Sequence, residues 1–343
     1  MNKIIENLIL GIVAAVLASL PTLVFAQNTW TQPLAKPEKP HRIARNWLPM
    51  PMVGGDTSEK SIKVDSNVNL SLCVTQGKIK VNGWNRSEVR VFVHDGSKFG
   101  FKVLQKSMKT SDPVWIMVAG IEPKMGKFSA PGECIWGGEI EIDVPINATI
   151  NIKGQETTTT IDSVKKVSVR TIGGDITLRN ITGGITASAG QGDVTVEESE
   201  GAMILDSTTG NILVFDAGPG EIGDMFRAKT NSGSISLQQL QYRQIEVGSI
   251  SGSVAFSGEI LNGGSYSLST SKGSIRMSIP AASSCQISAT YGYGNFSTEI
   301  PVKIETENIS QGPVKSIVGK LGNGGEASLK LTTNNGSIGI KKQ

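Results

Sequence analysis

The sequence predicts an all-β protein: a single-stranded β-helix, or β-solenoid, with coils of about 20 residues and one lateral insertion. Three observations point there. First, a twelve-residue phrase recurs: apolar, any, apolar, any, small, any, any, Gly, Asp/Asn/Ser, apolar, any, apolar. Its copies begin at Val167, Ile185, Met203, Phe226, Ile245, Tyr266, Ile287 and Leu329, and the copy at Ile287 departs at its last place, Thr298. Second, the eighth-place glycines (Gly174, Gly192, Gly210, Gly233, Gly252, Gly273, Gly294 and Gly336) are spaced by 18, 18, 23, 19, 21, 21 and 42 residues, the last being twice 21. Third, only 5% of the 343 residues are aromatic while 40 are glycine, a profile that suits a narrow interior filled by Ile, Val and Leu.

The phrase encodes a coil for a simple reason. Side chains alternate faces along a strand, so the first and third places point one way, as do the tenth and twelfth. Glycine and its polar neighbour turn the chain between these strands, because glycine tolerates positive φ and Asp, Asn or Ser can hydrogen-bond the local backbone. A meander of hairpins would explain the alternation but not one glycine per two strands at near-constant interval. Roughly ten coils stacked about 4.8 Å apart would give a rod about 45–50 Å long.

Taken in order, residues 1–26 read as a secretory leader: Lys3, an apolar stretch from Leu8 to Leu20, and Val24-Phe25-Ala26 before a cleavage point ahead of Gln27. Residues 27–60 hold Pro33, Pro37, Pro40, Pro49 and Pro51 among basic residues and read as an extended linker. The solenoid domain is expected over 61–343. Leu70–Val81 is a loose copy of the phrase with Gly77 at the corner, and Val89–Val93 alternates as a strand. The pattern lapses over 94–137, read as the lateral insertion, and returns at Ile140–Val144. Ile150 starts a degenerate copy with Thr157 in the glycine place, and Ile300–Gly325 interrupts the last pair of copies.

The three cysteines allow at most one intramolecular bridge. Cys285 is in inward phase and reads as a small core hydrophobe. Three free thiols are the favoured expectation, with Cys73–Cys134 the candidate pair if one bridge forms.

From the residues themselves the chain resembles the bacterial putative-adhesin family, an extracytoplasmic domain of unknown biochemical function with a β-helix-like fold. The likeness is carried by Gly77-Lys78-Ile79-Lys80-Val81-Asn82-Gly83-Trp84-Asn85 before Val89-Arg90-Val91, and by Val144-Pro145 before Ile150-Asn151-Ile152. It continues through the Gly-polar-Ile/Val rungs, Ile279-Pro280, and Gly324-Gly325 leading to Leu329–Ile340. It spans about 61–343, except that 94–137 departs from the family's compact pattern. The resemblance implies adhesion and supplies no catalytic residues.

The chemistry-bearing residues are sparse. His41 and His94 are the only histidines, so a three-histidine metal site is excluded, and no Cys or carboxylate spacing suggests zinc. Gly174-Asp175 and Gly192-Asp193 resemble the calcium-binding nonapeptide, but later corners carry Asn or Ser, and turn-forming aspartate is the better reading. Outward places are mainly Ser and Thr; Asp206 and Lys229 are expected to pair across coils. Aromatic side chains that could form a sugar-binding surface are Trp115, Trp136, Tyr291 and Tyr293. A net charge of +3 is too weak to imply nucleic acid or an anionic membrane. No catalytic residue, metal or cofactor is predicted, and no membrane span after leader cleavage.

These readings converge on an exported, non-catalytic β-solenoid of structural or adhesive role. Its partner would be a glycan, a cell-envelope component or another protein. The alternative is a polysaccharide-active lyase or hydrolase, which would need carboxylates close together in a groove. The coil ends, with unpaired strand edges, are expected to be covered by the insertion, the linker or a second subunit.

Overall fold

The computed structural model describes residues 56–121, 134–221, 223–308 and 314–343. The leader, His41 and the linker up to residue 55 lie outside them. Among the described residues there are 25 strands and no helix.

The strands form two parallel ladders joined at the glycine corners. In stacking order the first ladder runs Pro113–Gly120, the start of Asn69–Trp84, the start of Thr149–Asp162, Lys166–Gly173, Ile185–Gln191, Met203–Thr209, Met225–Ser232, Gln244–Ser251, Ser265–Lys272, Ser328–Asn335 and Cys285–Tyr293. The second runs Glu139–Pro145, the ends of the same two long strands, Ile176–Arg179, Val194–Glu200, Ile212–Gly218, Ile235–Leu240, Val254–Gly258, Ile275–Ile279, Ile338–Lys342 and Phe296–Thr298. Like places of the phrase are in register: Val167 opposes Ile185, Ile185 opposes Met203, and Met203 opposes Phe226. First, third, tenth and twelfth places are buried and make one continuous core, except that Phe296 and Thr298 in the end coil are half-buried.

The stacking order departs from chain order at both ends. The coil that begins at Leu329 sits between those that begin at Tyr266 and Ile287. At the other end Asn69–Trp84 lies between the degenerate copy and a terminal rung built from Pro113–Gly120 and Glu139–Pro145. The 94–137 segment, expected on the side of the solenoid, therefore contributes to its end.

Antiparallel strands close the stack. Phe99–Lys106 pairs with Pro113–Gly120, Glu88–Gly96 with Glu139–Pro145, and Asp56–Lys63 with Glu88–Gly96. That outer strand takes in residues 56–60 from the expected linker. At the opposite end Lys315–Leu321 covers Cys285–Tyr293 and is itself covered by Val302–Asn308. A strand that ends a ladder in antiparallel sense breaks the parallel template on which another chain could add.

Corner geometry explains the glycine. The N–H of Gly233 donates to the Ser251 carbonyl of the next coil. A Cβ on Gly233 would collide with the carbonyl oxygen of Gly210 one coil before, and its φ of +157° disfavours other residues. The same close approach recurs along the corner column.

That crowded carbonyl has a dedicated partner. In five of the eight copies the fifth place is an inward Ser or Thr whose hydroxyl donates to the corner-glycine carbonyl of the preceding coil: Ser207 to Gly192 (3.1 Å), Thr230 to Gly210 (3.0 Å), Ser249 to Gly233 (2.9 Å), Thr270 to Gly252 (2.8 Å) and Thr333 to Gly273 (2.8 Å). All five hydroxyl residues are buried. The ninth place also bonds across coils rather than locally. Asp175 accepts the Asp193 N–H (2.8 Å), Asp193 the Asn211 N–H (2.7 Å), and Asn211 the Ser234 N–H (2.9 Å). Asp175 and Asp193 are thus corner residues whose carboxylates hold the next turn.

Cys73 and Cys134 form a disulfide, against the expectation of three free thiols. Their backbones meet because Ile135 bridges to Val74, which brings the terminal rung alongside the next coil. The pair is the one the sequence offered, but a 61-residue separation across the cap gave no local reason to favour the bridge. Cys285 is a buried free thiol, and burial pushes its pKa up to about 11.

Candidate functional site

The outward face of the second ladder carries a groove of about 760 Å³. Its shape follows from the eleventh and thirteenth places. Ser236, Ala255, Gly339 and Ser297 are too small to fill the space above the sheet, while Arg276 and Lys341 rise from it. Parallel register sets these residues on successive rungs: Ser236 beside Ala255, Ala255 beside Arg276, Arg276 beside Gly339, and Gly339 beside Ser297.

The groove is polar and positive. Ser236, Ser257, Ser278 and Ser297 line it with hydroxyls, and no carboxylate does. Among the described residues neither Arg276 nor Lys341 lies within ion-pair distance of an acid. Gln343 donates from its side-chain amide to Ser257 Oγ (2.8 Å) at one edge. Ser257 and Ser278 set hydroxyls on adjacent rungs about 4.8 Å apart, and with the two unpaired cations the surface suits an extended anionic chain.

A second groove, about 590 Å³, follows the glycine corners near the opposite end. Its walls include Trp136, Lys78, Asp95, Glu156 and Thr158. The Trp136 backbone is clamped by Ser97, whose N–H donates to the Trp136 carbonyl (2.8 Å) and whose Oγ accepts the Trp136 N–H (3.1 Å). The indole itself is 43% exposed.

The four aromatic residues singled out in the sequence do not form one surface. Trp136 lines this second groove, and Trp115 lies on the terminal rung with its indole N–H donating to Ser71 Oγ (3.3 Å). Tyr291 and Tyr293 are at the far end of the stack. Tyr293 is exposed, but Tyr291 is buried, stacked on Phe296 and covered by the Lys315 ammonium. Trp84 donates to the Glu88 carbonyl (2.8 Å) and lies under Arg86.

The expected Asp206–Lys229 pair is replaced by another. Lys229 reaches the following coil and meets Glu246 at 2.6 Å, with Arg227 at 3.9 Å from the same carboxylate. The hydrogen bond from Lys229, above all, holds the Glu246 carboxyl below its usual range. His94 is exposed and contacts Thr57 and Asp95. No group of three or more His, Cys, Asp or Glu residues converges as a metal site among the described residues.

Sequence reading found the Ser/Thr-rich outer surface but missed Arg276 and Lys341 as neighbours. Their adjacency depends on the Leu329 coil entering the stack beside the Tyr266 coil, and nothing local in the sequence announces that.

No curated protein matches the chain. Similar solved structures include a putative cell adhesion protein from Clostridium sporogenes, 12% identical, covering 84% of this chain and 100% of that one at a TM-score of 0.20. A putative adhesin from Parabacteroides distasonis is 12% identical over 84% of this chain and 98% of that one, at a TM-score of 0.32. A putative adhesin from Parabacteroides merdae is 9% identical over 84% and 97%, at a TM-score of 0.25. Residues 55–341 match the Toastrack DUF4097 family profile, nearly the whole stack together with its caps, and the chain belongs to that family.

Proposed function

We propose that the protein is an exported, non-catalytic adhesive module that holds an acidic glycan of the cell envelope along the serine-lined groove. The observation that carries this reading is the coincidence of six groove serines with Arg276 and Lys341 and with no lining carboxylate. Hydroxyls at both ends of the groove and on the adjacent Ser257 and Ser278 rungs can contact a polymer over more than one sugar unit, and the two cations select for acidic ones. A Cys73–Cys134 disulfide and a leader-like N-terminus support an oxidising, extracytoplasmic location.

The test is calorimetric titration of the purified protein with polygalacturonate and alginate, using neutral dextran as control. Binding to the acidic polymers should weaken at least tenfold in an Arg276→Ala/Lys341→Ala variant and fall with salt. Equal affinity for dextran, or unchanged affinity in the variant, refutes the reading.

The exposed Trp136 indole favours a second contact, in which a sugar ring stacks at the corner groove. Asp95 and Glu156 also line that groove, so it is the place for the enzymatic alternative. Both are exposed on an open edge, whereas glycoside hydrolysis needs two carboxyl groups held in fixed positions on either side of the scissile bond. Measurable depolymerisation, abolished by Glu156→Gln, would establish the enzyme instead.

A further inference from the structure

We propose that the Phe99–Gly120 hairpin is a membrane-surface contact, whose tip seats in the interfacial region of an anionic lipid bilayer. The hairpin starts in the core and leaves it: Phe99 and Gly100 are buried, whereas Val103 to Lys106 are exposed. Its strands are joined by a compact tip in which Ser107 Oγ accepts the N–H groups of Lys109 and Thr110, and the Ser107 N–H donates to the Asp112 carbonyl.

The hairpin exposes apolar side chains among its polar ones. Of the thirteen exposed large hydrophobic residues among the described residues, four (Val103, Leu104, Met108 and Trp115) fall within this one hairpin. Met108 is fully exposed, and Trp115 shows 44% of its surface at the level where the hairpin rejoins the stack. A tryptophan held by one hydrogen bond at its polar edge, with its ring otherwise open, has the amphipathic placement that membrane interfaces favour.

Charge selects the occupant. Lys102, Lys106 and Lys109 run along the hairpin to its tip, where Asp112 is the hairpin's one acid and Asp65 approaches through its N–H to the Pro113 carbonyl. Asp112 faces Lys63 (3.8 Å) and Lys98 faces Asp56 (3.0 Å), while Lys102, Lys106 and Lys109 have no carboxylate within ion-pair distance among the described residues. Three unpaired ammonium groups interleaved with exposed aliphatic side chains complement phosphate headgroups above acyl chains. The chain-wide charge of +3 conceals this, because acids on other coils offset the lysines concentrated here. The serine-lined groove lies at the other end of the stack, so a membrane-seated hairpin would hold it away from the bilayer.

The experiment is vesicle co-sedimentation of the protein purified after export and processing. Equimolar phosphatidylglycerol and phosphatidylcholine vesicles are compared with phosphatidylcholine alone, in low salt. The anionic vesicles should carry the protein down, and the neutral ones should not. Lys102→Gln/Lys106→Gln/Lys109→Gln should weaken partitioning on the order of a hundredfold, at about fivefold per lysine. Leu104→Ser/Met108→Ser should weaken it at least tenfold, and both variants should keep the wild-type melting curve because every altered side chain is on the surface. Absence of binding to anionic vesicles overturns the proposal, as does equal binding to neutral ones or wild-type binding by the Leu104→Ser/Met108→Ser variant. Concentration-dependent dimerisation lost in these variants, without vesicle binding, would also overturn it by making a second copy the occupant.

Discussion

The inward hydroxyl column makes a sharp stability prediction at Thr230. Thr230→Val keeps the shape of the side chain and removes only the donor to the Gly210 carbonyl, 3.0 Å away. That carbonyl faces the Cα of Gly233, with too little room for a replacement side chain. The loss therefore includes the desolvation cost of an unpaired buried acceptor, about 1–3 kcal/mol, and not merely the net value of one hydrogen bond. We expect about 2 kcal/mol, read in urea unfolding followed by circular dichroism, and a melting point lower by roughly 4 °C for a chain of this size. Thr230→Ser should retain most of the stability. The converse substitution is available two coils away. Ala189 occupies the fifth place in register with Thr171 and Ser207, and so brings no hydroxyl towards Gly174. Ala189→Ser should raise stability by about 1 kcal/mol. If Thr230→Val and Ala189→Ser both fall within about 0.3 kcal/mol of wild type, the hydroxyls are not what satisfies the corner.

Two further outcomes follow from the cysteines. Burial raises the Cys285 thiol to about 11 from 9.0, so an unfolded chain releases this proton at lower pH than the folded one. Its contribution is whole below pH 9 and is lost as pH rises from 9 to 11, about 2–3 kcal/mol in all at 1.36 kcal/mol per unit; Cys285→Ala should flatten that part of a stability–pH curve, and an unchanged slope would contradict it. Cys73→Ser should loosen the terminal rung alone, since a 61-residue loop closure is worth about 4 kcal/mol but each coil contacts only its neighbours. Hydrogen exchange should quicken in Pro113–Gly120 and Glu139–Pro145 and stay slow in Met203–Thr209; uniform quickening would show that the stack unfolds as one unit.

Much of the fold was legible because a coil repeats its own rules locally. Strand alternation, the corner glycine and the polar ninth place are all set within twelve residues, so Val167 to Leu178 can be read without its neighbours. What the fifth place does was not legible, although its small size was. Thr230 and its acceptor are 20 residues apart and meet only once the coils stack. That the ends would be covered could be expected, but the strands that cover them could not be read, for a related reason: Val89–Val93 and Ile140–Val144 both alternate like coil strands, and the period does not say that one runs antiparallel to the other. The outer Ser/Thr surface could be anticipated, whereas the grooves could not, since Trp136 and Arg276 acquire their neighbours from rungs distant in sequence.

Why the Leu329 coil enters beside the Tyr266 coil, ahead of the Ile287 coil, has an answer in those fifth places. The Gly273 carbonyl needs a small hydroxyl from the next coil, and Thr333 supplies it at 2.8 Å. In the Ile287 copy the corresponding residue is Tyr291, whose ring could not occupy an interior position of that size. At the end of the stack Tyr291 packs on Phe296 beneath Lys315 instead, with the antiparallel strand Lys315–Leu321 beyond it. Both copies carry the corner glycine and its flanking strands, and the fifth place, Thr333 against Tyr291, assigns their positions. Removing residues 326–343 should therefore leave the Tyr266 coil without a matching neighbour, rather than letting the Ile287 coil slide inward. Backbone amides of Ser265–Lys272 and Ile275–Ile279 should lose exchange protection, and the exposed parallel edge should drive self-association in sedimentation velocity. Restoring a hydroxyl with Tyr291→Thr in the truncated chain should recover part of the protection. A truncated chain that stays monomeric and fully protected through Ile279 would show that the coils are interchangeable and that the fifth place does not set their order.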